Sequence, residues 1–575
     1  MKKILAIILV MIMSMALFAC GEGSGVASCN VYATTYDNIN TVSDPDAYAS
    51  EANVGGVDQG NNNNPVDDGI IVSPYYTLKV NDKEVPVYGT RTANGIHSFV
   101  YLSIEDTGDA GFNLKMELKG TDESTVFKSA KSSVVVLPES HGVATEMDRE
   151  NKLVTCNINS LGSFSFVFNK KEKEPLTVMV TEKIDTTKLF GNYEVVKIPV
   201  GDYSTASSKA ETLFAEKDDA ENKVYYFQKG KYQVDKITLP SNSILYLEEG
   251  AYIEAIPEGS KGAYDRPVRT PVVFVENKEN VTIAGRGLFD FSKATGSTVS
   301  NWYTNDKDTF IINDCKNVKF YGITSINSQH WTLNVNSTEN IHVKNVFFFA
   351  YRMYADGVML SNCRDSLVEF SFIRTGDDAF ETKSARASEM VTNNVIFQYC
   401  DAWTDKANAY GCVYECYNDT RNVLFRNCSV GFALGTWSAH LGSCIIQLGQ
   451  TFNPNRITEN ITFENIEIYH SKNRALLNCY IGGTGGSSVG AGIIQNIYFK
   501  NITCANNYGK VLHVATYPDL ENNRIAEIND LYLQNIVSNK TKITSANIEE
   551  HFEDEYYNPD SIYGGAFDRN KLHIS

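Results

Sequence analysis

The chain reads as all-β: an antiparallel β-sandwich followed by a right-handed parallel β-helix of about ten coils. Two observations carry that prediction. From Asn280 onward a phrase of the form Asn/Asp-x-x-apolar keeps returning, and ahead of it short runs alternate apolar and polar residues between clusters of turn formers. Alternation with period 2 marks half-buried strands, and a fixed phrase returning at coil-length intervals marks a solenoid.

The first twenty residues are a processing signal. Lys2 and Lys3 precede an apolar run from Ile4 to Phe18, which is short for a bilayer span. The run ends in Leu17-Phe18-Ala19-Cys20, which resembles a bacterial lipobox, with Cys20 as the lipidated residue. The expectation is an exported protein held to the outer face of a bacterial membrane by an N-terminal lipid. Residues 21–74, with "GNNNNPVDDG", lack hydrophobic periodicity and read as a flexible linker.

Residues 75–199 hold "YTLKV", "HSFVYLSI", "FNLKMEL", "SVVVL", "SFSFVF" and "LTVMV", the short alternating strands of a sandwich. Residues 200–575 form the β-helix domain. It opens with an amphipathic helical pattern at Ser208–Glu216, suited to covering the first coil's edge. The recurring phrase then starts at Asn280, Asn317, Asn340, Asp365, Asn394, Asn422, Asn460 and Asn496, in steps of 37, 23, 25, 29, 28, 38 and 36 residues. A leucine-rich solenoid would need a helical half-repeat and a Leu skeleton, and neither is present.

The net charge of −18 argues against nucleic acid or any polyanion as partner and leaves neutral partners open. Of the twelve cysteines, Cys315, Cys363, Cys400, Cys428, Cys479 and Cys504 fall inside strand patterns, where free thiols behave as small hydrophobes. Cys412 and Cys416 have no matching pair at zinc spacing, so no metal and no cofactor are expected.

The chemistry concentrates in "YADG" at 354–357 and "RTGDD" at 374–378. Asp356 and Asp377 lie 21 residues apart, close to one short coil, and stacked strands are about 4.8 Å apart. Asp356 is therefore expected one rung below Asp377 and Asp378, with Gly376 supplying freedom for the chain to bend. Crowded carboxyls cannot all ionise cheaply, and a raised pKa beside ionised neighbours suits glycosidic cleavage. A calcium site or a solvated acidic corner would use the same residues, although calcium favours more oxygen ligands in a compact loop.

"YADG…RTGDDAFETKS", with "NSQHWTLNVNSTENIHVKNV", resembles the polygalacturonase-type β-helix hydrolases of glycoside hydrolase families 28 and 49, over about residues 230–537. The resemblance implies Asp377 as general acid, Asp356 and Asp378 as the pair holding the nucleophilic water, and inversion at the anomeric carbon. One rung of separation is compatible with either the retaining gap of about 5–5.5 Å or the inverting gap of about 6.5–9.5 Å.

Departures from the pectin-hydrolase pattern shift the substrate. Tyr354-Ala355-Asp356 stands where those enzymes have Asn-Thr-Asp, and Ala409-Tyr410-Gly411 where they have Gly-His-Gly. Leu477-Asn478-Cys479 falls where they carry a carboxylate-gripping Arg-Ile-Lys, and Arg474 is the basic residue nearest to it. Without a charge-assisted partner a uronate carboxylate is costly to bury. Family 49, with its neutral α-glucan substrates and its sandwich ahead of the β-helix, is the closer likeness, and dextran the expected substrate. Trp331, Tyr354, Lys383, Tyr410 and Arg474 are the candidate sugar contacts; Trp302, Trp403 and Trp437 are further aromatics, equally suited to packing. His330 and His440 read as structural. Competing readings are a family 28-like polygalacturonase, a non-catalytic cell-surface glycan-binding protein and a β-helix lyase.

Overall fold

The computed structural model describes residues 30–36, 40–41, 69–105, 111–204, 222–256, 271–293, 309–328, 330–352, 355–385, 390–435, 444–450, 456–482, 491–516, 526–555 and 567–575. The expected signal and Cys20, the Ser208–Glu216 helix, Tyr354, Trp302, Trp437 and His440 lie outside them.

Among the described residues, two sheets of eight and five strands form the sandwich. The strand Leu114–Gly120 shows the alternation that places it, with Leu114, Met116 and Leu118 buried against Phe164, Phe166 and Val178. The sandwich reaches beyond its expected limits. Val31–Ala33 pairs with Gly95–Ile104, and Asn40–Thr41 with Ile71–Val72, so part of the expected linker is sheet. At the other end Glu194–Ile198 pairs in parallel with Lys223–Phe227 and already belongs to the solenoid.

The remainder is a parallel β-helix, its coils laid down, among the described residues, in a 22-stranded and an 11-stranded sheet. Its core is stacked in files. Phe397, Phe425, Phe463 and Phe499 from successive coils lie face to face at 4.6, 4.6 and 5.5 Å between centroids. The nine described free cysteines are all buried.

The recurring Asn has a backbone reason. Asn280, Asn317, Asn340, Asp365, Asn394, Asn422, Asn460 and Asn496 all sit at φ of 52–58°, the left-handed region that Asn and Asp tolerate best. Their amides also form a ladder between coils: Asn317 Nδ2 donates to Asn280 Oδ1 at 3.0 Å, and Asn340 Nδ2 to Asn317 Oδ1 at 2.8 Å. Asn317→Ala loses both bonds and keeps the strained φ, so it should cost about 1–2 kcal/mol, read as a lowered urea midpoint at unchanged slope.

The sandwich packs on the outer face of one row of solenoid strands. Phe99, Tyr101 and Met179 meet Phe347, Phe349, Phe372 and Trp403. Trp403 is thus a packing residue. Within this seam Arg374 is fully buried, pairs with Asp405 at 2.9 Å and donates to His97 Nδ1 at 3.1 Å. His97 therefore carries its proton on Nε2, toward Thr177 Oγ1 at 2.8 Å, and burial with the nearby guanidinium holds its pKa well below the usual imidazole range.

Candidate active site

The three aspartates lie where the 22-stranded sheet gives way to the 11-stranded one. Thr332 N donates to Asp356 O and Gly357 N to Asp378 O, both at 2.8 Å. This register stacks Trp331, Asp356, Asp378 and Asn408 as equivalent positions of four successive coils. Asp377 occupies the bend after Phe372–Thr375, before the strand Phe380–Ser384 begins, so the pair escapes strand alternation by standing off the strand.

Gly376 serves that bend differently from the expectation. It is not among the glycines of positive φ; a Cβ there would lie 2.4 Å from Arg352 O and 2.6 Å from Tyr351 O. Close approach of the preceding coil, rather than conformational freedom, requires glycine. Gly357 is held likewise: a Cβ there would lie 2.3 Å from Ala379 O.

The carboxyls differ in environment. Asp377 is half-buried, with Asp378 N donating to its Oδ1 at 3.1 Å and Thr375 Oγ1 to its carbonyl at 2.5 Å. Asp378 is 6% exposed and accepts from Asn408 N at 2.8 Å and Nδ2 at 2.6 Å on one oxygen. Burial raises its pKa, against the pull of Lys383 and Asn408. Asp356 is 3% exposed; burial, then the charges of Glu381 and Asp377, push its pKa well up, with Lys383 opposing.

Lys383 projects into this group. Its Nζ is 3.7 Å from Asp356 Oδ2, 3.5 Å from Glu381 Oε1 and 5.0 Å from the centre of the Trp331 ring. Trp331 keeps part of its surface exposed, one rung from Asp356, and is braced by the His330 ring at 4.7 Å. Arg352, on the preceding turn, lies against Tyr351 at 5.4 Å.

Two expected contacts stand elsewhere. Tyr410 is not in the cleft: its register partner is Phe380, an inward residue, and it stacks on that ring at 5.6 Å. Its hydroxyl donates to Cys400 O and Ser429 O at 2.7 Å, deep in the core. Arg474 is three strands further along the 11-stranded sheet, about 14 Å from Asp377 by rung spacing. It is bound to Glu553 at 2.8 and 3.1 Å.

One residue escaped the sequence reading. Glu381 is fully buried among Asp356, Asp378 and Lys383. The signal was there: Glu381 is two residues before Lys383, and a strand puts such residues on one face.

Residues 229–401, which contain the three aspartates, Glu381 and Lys383, match the family model described as Glycosyl hydrolases family 28. "Exopolygalacturonase clone GBGE184" from Arabidopsis thaliana is 27% identical over 248 residues, which are 40% of this chain and 54% of that protein. The chain thus spans about half the length of this curated relative. Among solved structures, Dex49A from Penicillium minioluteum covers 96% of this chain and 99% of its own, with a TM-score of 0.52 at 12% identity. The polygalacturonase from Erwinia carotovora ssp. carotovora covers 67% and 99%, with a TM-score of 0.48 at 14% identity. At 12% identity the likeness to Dex49A is one of fold alone.

Proposed function

We propose that the chain is a glycoside hydrolase that cleaves a neutral polysaccharide with inversion, an α-glucan such as dextran being the expected substrate. The observation that carries this reading is the stack of Asp356 on Asp378, with Asp377 beside them in a bend and the partly exposed Trp331 one rung from Asp356. Asp377, the most accessible of the three, gives its proton to the leaving oxygen as the C–O bond breaks. Water forms the new bond at the anomeric carbon and passes its proton to the Asp356/Asp378 pair. Trp331 offers an apolar ring to a pyranose face. Neutrality of the substrate is supported by the charge balance, since Lys383 is already drawn to Asp356 and Glu381, and Arg474 to Glu553.

A second reading, a polygalacturonase, is favoured by the family match and the Arabidopsis relative. In that reading Arg352, whose backbone carbonyl lies against Gly376 in the Asp377 turn, would meet the uronate carboxylate. A non-catalytic glycan-binding protein would have no use for so costly a set of buried acids.

Incubation with dextran, pullulan and polygalacturonate separates these readings. Release of new reducing ends from a neutral glucan alone is the expected result. Release from polygalacturonate alone would move the assignment to the second reading, and binding without any release would overturn both. Export and a lipid anchor at Cys20 complete the proposal, placing the enzyme where a polymer too large to enter the cell is met.

A further inference from the structure

The strand Phe380–Ser384 turns Phe380 and Thr382 inward, pairing them with Val358 and Leu360, and turns Glu381 and Lys383 outward. Behind Glu381 the equivalent position is the buried Met359, and ahead of it Gly411, which carries no side chain. Glu381 is fully buried, and among the described residues the charged or titratable groups facing it include Asp356, Asp378 and Lys383, with the Asp377 turn next to them and the buried Cys412 thiol on the following coil. A single ammonium thus serves both Glu381, at 3.5 Å, and Asp356, at 3.7 Å. Among the described residues, one lysine faces three carboxyls, none more than 6% exposed, which exceed what it can balance. The cluster must retain a proton, and two carboxyl oxygens can approach closely only when one of them carries it.

We propose that Glu381 is a positioning residue of this site, sharing a proton with Asp356 and Asp378 and so deciding which carboxylate is left ionised to accept the proton of water. This rests on the hydrolytic reading. The balance closes: water's proton enters the cluster, Asp377 gives one proton to the leaving oxygen, and solvent takes the first and restores the second before the next turnover. The leaving group departs as an alcohol, and no further reactant is needed.

Glu381→Gln keeps the shape and a hydrogen-bonding head but removes an ionisable group. In this variant the acid-side limb of kcat/KM against pH should move down by roughly one pH unit, because a like charge beside Asp356 is gone. Glu381→Ala, which also removes the hydrogen bond, should lower kcat while leaving KM within a factor of about three.

A readout free of substrate is the pH dependence of stability. Asp356 and Asp378 hold protons more tightly folded than unfolded. Their contribution is complete below the unfolded carboxylate value of about 4 and is lost as pH rises through the raised folded values. Wild-type stability should fall across that window, and Glu381→Gln should flatten the fall. A limb and a slope both unmoved in Glu381→Gln, or activity lost without a displaced limb, would overturn the proposal. If the wild type releases no sugar from any glycan, the hydrolytic reading fails by itself, and the stability slope still decides whether Glu381 shares the proton.

Discussion

Asp377→Asn is expected to fold normally and to release reducing sugar from dextran between about 100- and 10,000-fold more slowly than the wild type. Asparagine matches the carboxyl in shape and can still accept from Asp378 N, the bond that holds the head at 3.1 Å. It has no proton to give. Asp377 is half-exposed in a bend, so exchanging it for an amide leaves no buried charge behind and the urea midpoint should stay within about 0.5 kcal/mol of wild type. An aryl glycoside whose leaving group needs little protonation should be spared most of the loss, because the missing contribution is that of the acid. Near-normal rates on dextran would reject Asp377 as the acid. Equal losses on both substrates would point instead to a displaced base pair.

The parts of this site legible from sequence are those fixed by local rules. The Asn phrase set the coil, because each Asn occupies a left-handed corner that few residues accept. A separation of 21 residues then put Asp356 one rung from the acidic pair, and the strand register bears that geometry out. Tyr410 went astray for an equally local reason. The connection before it, Asp405–Ala409, is a residue longer than its counterpart Gly376–Ala379, and in a period-2 structure a one-residue slip exchanges inside for outside. Glu381 was readable from alternation but was overshadowed by the aspartates beside it. What no local rule could give is the seam with the sandwich. His97 and Arg374 are 277 residues apart, and their meeting depends on how the sandwich docks on the solenoid.

That seam yields the prediction with the largest expected effect on stability. Arg374 stands three residues before Asp377, with its guanidinium held by both Asp405 oxygens at 2.9 and 3.3 Å, against Trp403 at 5.3 Å and donating to His97. The Arg374 and Asp405 side chains are 1% and 2% exposed. Arg374→Met keeps the stem but strands the Asp405 carboxylate without a counter-charge, at a cost of about 3–5 kcal/mol in the urea-unfolding free energy. Asp405→Leu placed in the same chain should recover much of that loss, since an apolar pair of similar volume replaces the ion pair; the double-mutant cycle measures the coupling. Activity should recover with it. Asp405 N donates to Thr375 O at 2.8 Å, and Thr375 in turn holds the Asp377 carbonyl; neither bond uses the exchanged side chains, so the turn that bears the acid keeps them in the double variant. A double variant that regained stability and full kcat together would show that the sandwich supports the solenoid without orienting Asp377. Regained stability with a lowered kcat would instead give the sandwich its place in catalysis: a buttress, lying behind the strand, for one carboxyl on the far side of the coil.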